Sequence, residues 1–193
     1  MKRCDWPNLE KSDIYKDYHD NEWGIESHDD NYLFSMLILE TFHCGLSWLI
    51  VLKKRQAFFK AFDNFDPKKM ASYNEDKILS LINNKDIIRN KSKITSAVLN
   101  AKAYLLVVEE FGSFESYIWS FTDNKVIYIP NKRLKNSSTI ITKNSLSDRV
   151  SKDLKARGFK YMGSVTTFSY LEAVGVMNNH STECYLCKKQ KDN

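Results

Sequence analysis

Two helix-periodic apolar runs that meet at a glycine constrain the fold of this chain more than any other feature. Between Tyr32 and Phe42, apolar side chains recur at three- and four-residue intervals, which is the spacing of an amphipathic helix. Gly45 can adopt the left-handed conformation that ends a helix, and Ser47 can cap a second helix that extends to about Phe62. The segment therefore predicts two helices joined by a tight corner.

This corner carries polar and reactive side chains in an otherwise apolar background. Glu40 lies at the carboxyl end of the first helix, where a carboxylate opposes the helix dipole and does not stabilise its own helix. The two helices would direct Glu40, His43, Leu46 and Trp48 into one small volume. One interpretation is a functional pocket, and the other is a corner whose carboxylate is merely solvated. Spacing alone does not separate the two.

The composition is that of a folded protein. With 193 residues, of which 42% are hydrophobic and 27% charged, the chain can bury a core, and we expect one domain or two tightly joined lobes. The longest apolar runs, at 48–52 and 104–108, are far shorter than the ~20 residues of a membrane span. Because residues 1–7 also lack an apolar signal region, we expect a cytoplasmic protein. The net charge of +5 permits a polyanionic partner but does not identify one.

A helical hairpin is predicted in the middle of the chain. Asp66–Pro67 marks a boundary, and Ser72 with Glu75 is expected to form a capping box that opens a short helix. A second helix is expected from about Asn90 to Gly112. Four cations lie near the turn between these helices: Lys85, Arg89, Lys91 and Lys93. Cations beside the amides that begin a helix suit a phosphate, although a solvated cationic turn explains them equally well.

The remainder of the chain is also predicted to be mainly helical. Helices are expected at 114–121, from Ser145 to about Arg157, and from Gly163 through Met177. Residues 122–144 are rich in Thr, Asn, Lys and Ser and predict an irregular connection with one short extended piece near 126–130. The expected fold class is therefore mainly α, with about eight helices.

Aromatic residues are concentrated near the amino terminus without a regular apolar face. They are Trp6, Tyr15, Tyr18 and Trp23. Such residues usually pack onto a core formed by other segments. They can also line a pocket for a flat ligand, because stacking a base on an aromatic face contributes about 1–3 kcal/mol.

Two cysteines and two histidines form a candidate metal site. Cys4, His19, His180 and Cys184 supply the thiolates and imidazoles of a tetrahedral zinc site. His180 and Cys184, four residues apart, would face the same way on one helical turn. Cys184 with Cys187 forms a competing C-x-x-C pair. If the four residues converge, the site is closed and structural, and it joins the two ends of the chain.

Five segments form an ordered pattern that runs nearly from end to end. They are YHDNEWG at 18–24, E-x-x-H-C-GLSWLIVLKKR at 40–55, FDPKKMA at 65–71, IIRNKSKI with NAKAYL within 87–105, and RGFKYMGSVTTFSYLEAVGVMNNH at 157–180. Together they resemble the 3-methyladenine DNA glycosylase I family. A string of matches of this length is very improbable by chance.

This resemblance implies a helix-hairpin-helix fold that extrudes N3-methyladenine from double-stranded DNA and hydrolyses its glycosidic bond. The expected products are free 3-methyladenine and an abasic site. The chain would be one glycosylase domain over 1–193, with a hairpin lobe at 67–112, a flexible tail at 185–193 and a monomeric state. Because the methylated base is already a good leaving group, the resemblance implies no catalytic aspartate of the superfamily type. No lysine is nominated as a Schiff-base nucleophile, so hydrolysis would be monofunctional.

The resemblance also implies roles for individual residues. Structural zinc would be held by Cys4, His19, His180 and Cys184. The base pocket would be lined by Trp6, Tyr15, Tyr18, Trp23, Glu40, His43 and Trp48. DNA would be contacted by Gly45, Leu46, Arg89, Lys91 and Lys93. Glu40 is the expected catalytic residue, which would orient the base and stabilise charge while water attacks the sugar; a general-base role is left open.

One departure from the family pattern lies at the corner. His43 occupies a position where many members have Gln, and its protonation near neutral pH would disfavour a cationic base. Two other classes of function remain open at this stage. One is a damage-binding protein that flips the base without cleaving it, and the other is a zinc-stabilised interaction domain without a DNA role.

Overall fold

A computed structural model describes residues 1–129 and 141–187 of the chain. Nine α-helices lie within these ranges, so the predicted mainly α architecture is confirmed. They are α1 (Asp13–Asn21), α2 (Asp30–His43), α3 (Trp48–Ala61), α4 (Pro67–Ala71), α5 (Glu75–Asn83), α6 (Lys91–Phe111), α7 (Phe114–Ser120), α8 (Ser145–Ala156) and α9 (Ser164–Ala173). None of these helices is long and apolar enough to cross a membrane.

The predicted helix corner is present between α2 and α3. Gly45 has a φ of +77°, and the Leu46 amide donates to the carbonyl of His43 at 2.8 Å. Ser47 is the residue before α3, as predicted, but its side chain makes no capping hydrogen bond. The corner is therefore closed by the left-handed glycine and by backbone contacts rather than by the serine hydroxyl.

Helix α2 lies at the centre of the core. Ten consecutive residues, from Leu33 to Phe42, are buried, because the helix packs against α3, α6, α7 and α9. Burying a Leu or Phe side chain stabilises the fold by about 1.5–3 kcal/mol relative to leaving it exposed. The same burial covers Glu40, which is the only acidic residue in that run.

The predicted capping box at Ser72 and Glu75 is wrong. Asn74 caps α5 instead, through its side-chain oxygen and the Lys77 amide, while Ser72 ends a separate short helix, α4. Asp66 and the proline that follows it begin α4, and the Asp66 carboxylate accepts from the amides of the next turn. The cap is thus formed by the asparagine adjacent to the helix.

Helix α6, the longer helix of the hairpin with α5, has the predicted boundaries. Asn90 caps α6 by accepting from the Lys93 amide, and Gly112, with a φ of +84°, ends it. α4 and α5 both pack against α6. The segment from Asn84 to Asn90 connects the two arms.

The last helix is shorter than predicted. α9 ends at Ala173, and Met177 lies in a two-residue strand, β2 (Met177–Asn178), that pairs in parallel with β1 (Ile127–Tyr128). The reason is Gly175, where an added Cβ would lie 2.2 Å from the carbonyl carbon of Ile25. Gly175 has a φ of +76°, which ends the helical path, and the chain continues into β2, so His180 and Cys184 lie in irregular backbone and not on the predicted helical turn.

Three further segments either differ from the prediction or extend beyond the described residues. Helix α1 was not predicted, because its buried face consists of Tyr18 and His19 rather than aliphatic residues. The predicted extended piece near 126–130 contains β1, although residue 130 lies outside the described residues. Within the predicted tail, the Tyr185 amide donates to the Lys2 carbonyl at 2.9 Å, which joins the two ends of the chain; residues 188–193 lie outside the described ranges.

Candidate active site and metal centre

One cavity brings together the aromatic amino-terminal segment, the corner and the end of α9. Its volume is about 230 Å³. The seven residues predicted to form a base pocket all line it: Trp6, Tyr15, Tyr18, Trp23, Glu40, His43 and Trp48. Six further lining residues were not predicted from the sequence: Pro7, Ile141, Ser169, Glu172, Asn179 and Ser181.

Glu40 is a buried carboxylate at the wall of this cavity. Its side chain is only 3% exposed, and its Oε2 lies 3.0 Å from His43 Nδ1. Burial raises the pKa of the Glu40 carboxyl above its ordinary value of 4.5, and the hydrogen bond and charge of His43 oppose that rise. A buried carboxylate with a single partner has lone pairs left for a ligand.

Aromatic rings form most of the remaining wall. Trp6 lies edge-on to Trp23, with ring centroids 4.5 Å apart, and 5.3 Å from Tyr15. On the corner side, Trp48 lies 5.4 Å from Tyr18 and 5.3 Å from the His43 ring. Such faces attract a flat or cationic ligand through stacking and through the negative potential of their π-systems.

Two residues that line the cavity carry a buried polar atom with no hydrogen-bond partner among the described residues. These atoms are Trp48 Nε1 and Asn179 Oδ1. Asn179 Nδ2 donates to Glu172 Oε1 at 2.6 Å, which orients the amide because a carboxylate can only accept. Ser169 and Glu172 are three residues apart on α9, and this polar spacing was the only signal that pointed to this wall.

A second cluster, of Cys4, His19, His180 and Cys184, is entirely buried beside the cavity. Its four ligand atoms all lie within 4.8 Å of one another. Both cysteine Sγ atoms are 3.5 Å from His180 Nδ1, and Cys184 Sγ is 3.6 Å from His19 Nε2. A tetrahedral zinc ion with ordinary Zn–S and Zn–N bonds separates such atoms by about 3.5 Å. The donor set and its spacing therefore fit a metal ion, and Cys187 lies outside the cluster.

Each histidine of the cluster makes a hydrogen bond on the side away from the cluster, which directs its other ring nitrogen toward the metal position. His19 Nδ1 lies 2.8 Å from Asp20 Oδ1, and His180 Nε2 lies 3.1 Å from the Trp23 carbonyl. Each of these nitrogens donates to an oxygen, which leaves the other ring nitrogen with a lone pair for a metal. Burial lowers the pKa of His180 to about 4, with His19 as a second cause, so its ring is neutral at pH 7. Arg3 makes a bidentate contact with Asp20 and lowers the pKa of that carboxyl.

The cluster and the cavity share a wall. Trp6 lies 5.0 Å from the His19 ring, and Trp23 lies 4.6 Å from the His180 ring. Cys4 and Ser181 line the cavity directly, and the Ser181 amide donates to Cys4 Sγ at 3.3 Å. A metal held by this cluster would hold the His19 and His180 rings in place, and these rings contact Trp6 and Trp23 of the pocket wall.

The residues predicted to contact DNA differ in their exposure to solvent. Leu46 is 39% exposed at the tip of the corner beside the exposed Gly45, and Arg89 and Lys91 are exposed. Lys93 differs, because it is 6% exposed and its Nζ donates to the carbonyls of the corner. The prediction that the Lys93 side chain contacts DNA does not fit this geometry.

Comparisons with known proteins identify the family of the chain. Residues 6–188 match the model of the methyladenine glycosylase family. The chain is 39% identical to DNA-3-methyladenine glycosylase 1 of Escherichia coli (strain K12) over 184 residues, which cover 95% of this chain and 96% of that protein.

Two solved structures have the same fold. A crystal structure of 3-methyladenine DNA glycosylase I matches with a TM-score of 0.89 and 38% identity, and the match covers 97% of this chain and all of the other. A structure that describes 3-methyladenine recognition by the enzyme of Staphylococcus aureus matches with a TM-score of 0.87 and 36% identity over 93% of this chain and 94% of the other. The chain therefore belongs to the methyladenine glycosylase family.

Proposed function

We propose that this protein is a DNA-3-methyladenine glycosylase that removes N3-methyladenine from alkylated double-stranded DNA. The observation that carries the proposal is the buried Glu40 carboxylate in a cavity walled by aromatic rings. The family relationship supports the same reaction, since its relatives carry this activity in their names.

The cavity suits a cationic purine better than a neutral one. Methylation at N3 gives the base in DNA a positive charge, which the aromatic faces and the Glu40 carboxylate both favour. Glu40 can accept from the exocyclic amine of adenine, whereas guanine has a carbonyl oxygen at the corresponding position. Discrimination against normal bases would thus come from charge and hydrogen bonding as well as from shape. Extruding the base costs a few kcal/mol, which these contacts must offset.

The hydrolysis needs little acid assistance from the protein. The bond between the sugar C1′ and the base N9 breaks, its electron pair neutralises the cationic base, and 3-methyladenine leaves as a neutral molecule. A water oxygen bonds to C1′ and releases its proton to solvent or to an acceptor in the cavity. Glu40 stabilises the positive charge that passes from base to sugar in this step. Among the described residues that line the cavity there is no lysine, which supports monofunctional hydrolysis without a Schiff base.

We further propose that Leu46 and Gly45 contact the duplex at the lesion and that Arg89 and Lys91 contact phosphates. An apolar wedge at the tip of a corner can fill the space that an extruded base leaves. The exposed cations lie at the start of α6, where backbone amides also favour an anion. The hairpin of α5 and α6 would then serve as the helix-hairpin-helix element.

The metal we propose for the Cys4, His19, His180 and Cys184 cluster is zinc. Two thiolates and two imidazoles prefer this ion, and with four protein ligands no position remains for a catalytic water. When bound, it supplies structural cross-linking between the two ends of the chain. The four residues hold it, and Arg3 with Asp20 orients His19 from behind.

The experiment that tests the function separates cleavage from binding. Alkylated duplex DNA is incubated with the protein, and abasic sites, strand breaks and borohydride-trapped adducts are scored together with binding in a mobility-shift assay. We expect abasic sites without strand breaks or adducts. Tight binding to alkylated DNA with no abasic sites would instead support the damage-binding alternative, and a trapped adduct would refute monofunctional hydrolysis.

A further inference from the structure

Lys93 is a buried cation that the proposed chemistry does not use. It is the third residue of α6, and its side chain crosses to the end of α2, where Nζ donates to the carbonyl of Phe42 at 2.9 Å and to that of Cys44 at 2.5 Å. No ion pair joins Lys93 to a carboxylate among residues 1–129 and 141–187. Burial lowers the pKa of its ammonium group. A cation in such a place needs the carbonyls it contacts.

The carbonyls that Lys93 contacts belong to the corner. The last carbonyls of a helix lack partners within the helix, and a positive charge at this end is favourable. The Leu46 amide satisfies the His43 carbonyl, and Lys93 satisfies those on either side of it. The ammonium group therefore fixes the backbone between Glu40, which lies in the cavity, and Leu46, which lies at the exposed tip.

Tyr161 covers the same ammonium group from the outer side. Its ring centroid lies 6.0 Å from Lys93 Nζ, and its hydroxyl donates to Ser92 Oγ at 2.9 Å. Its φ of +61° is uncommon for a residue other than glycine, and strained residues of this kind persist where the surrounding structure holds them. The start of α6, the corner and the loop at Tyr161 thus meet at one buried charge.

We propose that Lys93 is a positioning residue that couples the DNA-facing start of α6 to the corner that extrudes and reads the base. This inference rests on the proposed function. Exposed Lys91, two residues away, would contact phosphate. Lys93 would hold the corner backbone, and with it Glu40 and Leu46, at a fixed position relative to that phosphate contact. Loss of the ammonium group would leave the cavity able to bind a free base but would impair removal of a base from a duplex.

The test compares Lys93→Met with two other variants of α6. Lys102→Met, at an exposed position of the same helix, is the matched control, and Lys91→Met reports the loss of a phosphate contact. Methionine keeps the length and apolar packing of the lysine stem but has no donor. For Lys93→Met we expect single-turnover excision from duplex DNA to fall about 10- to 100-fold, as expected for losing hydrogen bonds from a charged donor. Binding of free 3-methyladenine should change less than about threefold and the salt dependence of DNA affinity should not change. For Lys102→Met we expect unchanged excision and an unchanged salt slope, whereas for Lys91→Met we expect a salt slope smaller by about one.

Several outcomes would overturn the proposal. They are wild-type excision by Lys93→Met, a salt slope reduced as in Lys91→Met, or an equal loss of free-base binding. If Lys93→Met does not melt cooperatively, Lys93→Arg gives the answer, because the retained charge and donors should restore at least a tenth of wild-type excision. A failure of the proposed function is distinguishable, since the wild type would then release no base. In that case, the fluorescence of 2-aminopurine placed beside the lesion still reports extrusion, which Lys93→Met should reduce and Lys102→Met should not.

Discussion

Replacing Glu40 by glutamine should lower the activity of the enzyme and raise its stability at neutral pH. The substitution keeps the shape and one acceptor oxygen but removes the charge. Two unit charges about 4 Å apart attract by roughly 4 kcal/mol at the effective dielectric constant of 20 that suits protein sites. Because the glutamine oxygen retains part of the hydrogen bond, we expect a loss of roughly 2–4 kcal/mol, which is about a 30- to 1,000-fold decrease in kcat/KM for 3-methyladenine release.

The same substitution should stabilise the fold at neutral pH. Burial raises the folded-state pKa of Glu40 above the unfolded value, so the native state binds more protons in the interval between the two values. Stability therefore falls as the pH rises through this interval, and the penalty is largest above the folded-state pKa. Glutamine carries no such penalty, so Glu40→Gln should melt at a higher temperature than the wild type at pH 7, and the difference should shrink as the pH falls toward 4.5.

The assays are base release under single-turnover conditions and thermal melting at both pH values. Glu75→Gln is the control, because it removes a charge from an exposed position at the start of α5. It should leave excision unchanged. Retention of wild-type activity by Glu40→Gln, or a lower melting temperature at pH 7, would refute the role assigned to the buried charge.

Two further substitutions and one metal measurement test the fold around the site. Gly175→Ala should destabilise the protein by about 3 kcal/mol or more, because its Cβ would lie 2.2 Å from backbone atoms of Ile25 at a φ of +76°; Gly158→Ala, with a φ of +95° and open space, should cost about 1 kcal/mol. Equal shifts in calorimetric melting would contradict this. Elemental analysis should find zinc at one per chain in the wild type and in Cys187→Ser, whereas Cys184→Ser should lose the metal and melt roughly 5–15 °C lower. Comparable metal loss in both cysteine variants would contradict the assigned ligands.

The corner was predictable because local rules determine it, whereas the aromatic pocket followed only from the resemblance to the glycosylase family. Helix periodicity and Gly45 locate the end of α2, and Glu40 follows from its place in that helix. The spacing of Ser169 and Glu172 on α9 was the only signal for the polar wall, and Asn179 was not predictable because it meets Glu172 only after the chain has passed through β2.

Other features depend on contacts between distant segments. The end of α9 is set by the backbone at Ile25, which crosses Gly175, and nothing near Gly175 in the sequence reveals that crossing. Lys93 looks like its exposed neighbour Lys91 in the sequence, yet it is buried because the end of α2 supplies two carbonyls. Residue type thus identified the candidates, and tertiary contacts decided their roles.

The measurement that tests the central claim most directly is chromatography of the free bases released from methylated duplex DNA by the wild type and by Trp48→Ala. We expect 3-methyladenine to be released and 7-methylguanine to stay in the DNA. Loss of the Trp48 ring, which lines the cavity, should lower release about 10- to 100-fold. Absence of 3-methyladenine from a folded, metal-loaded wild type, or equal release of both bases, would contradict the account.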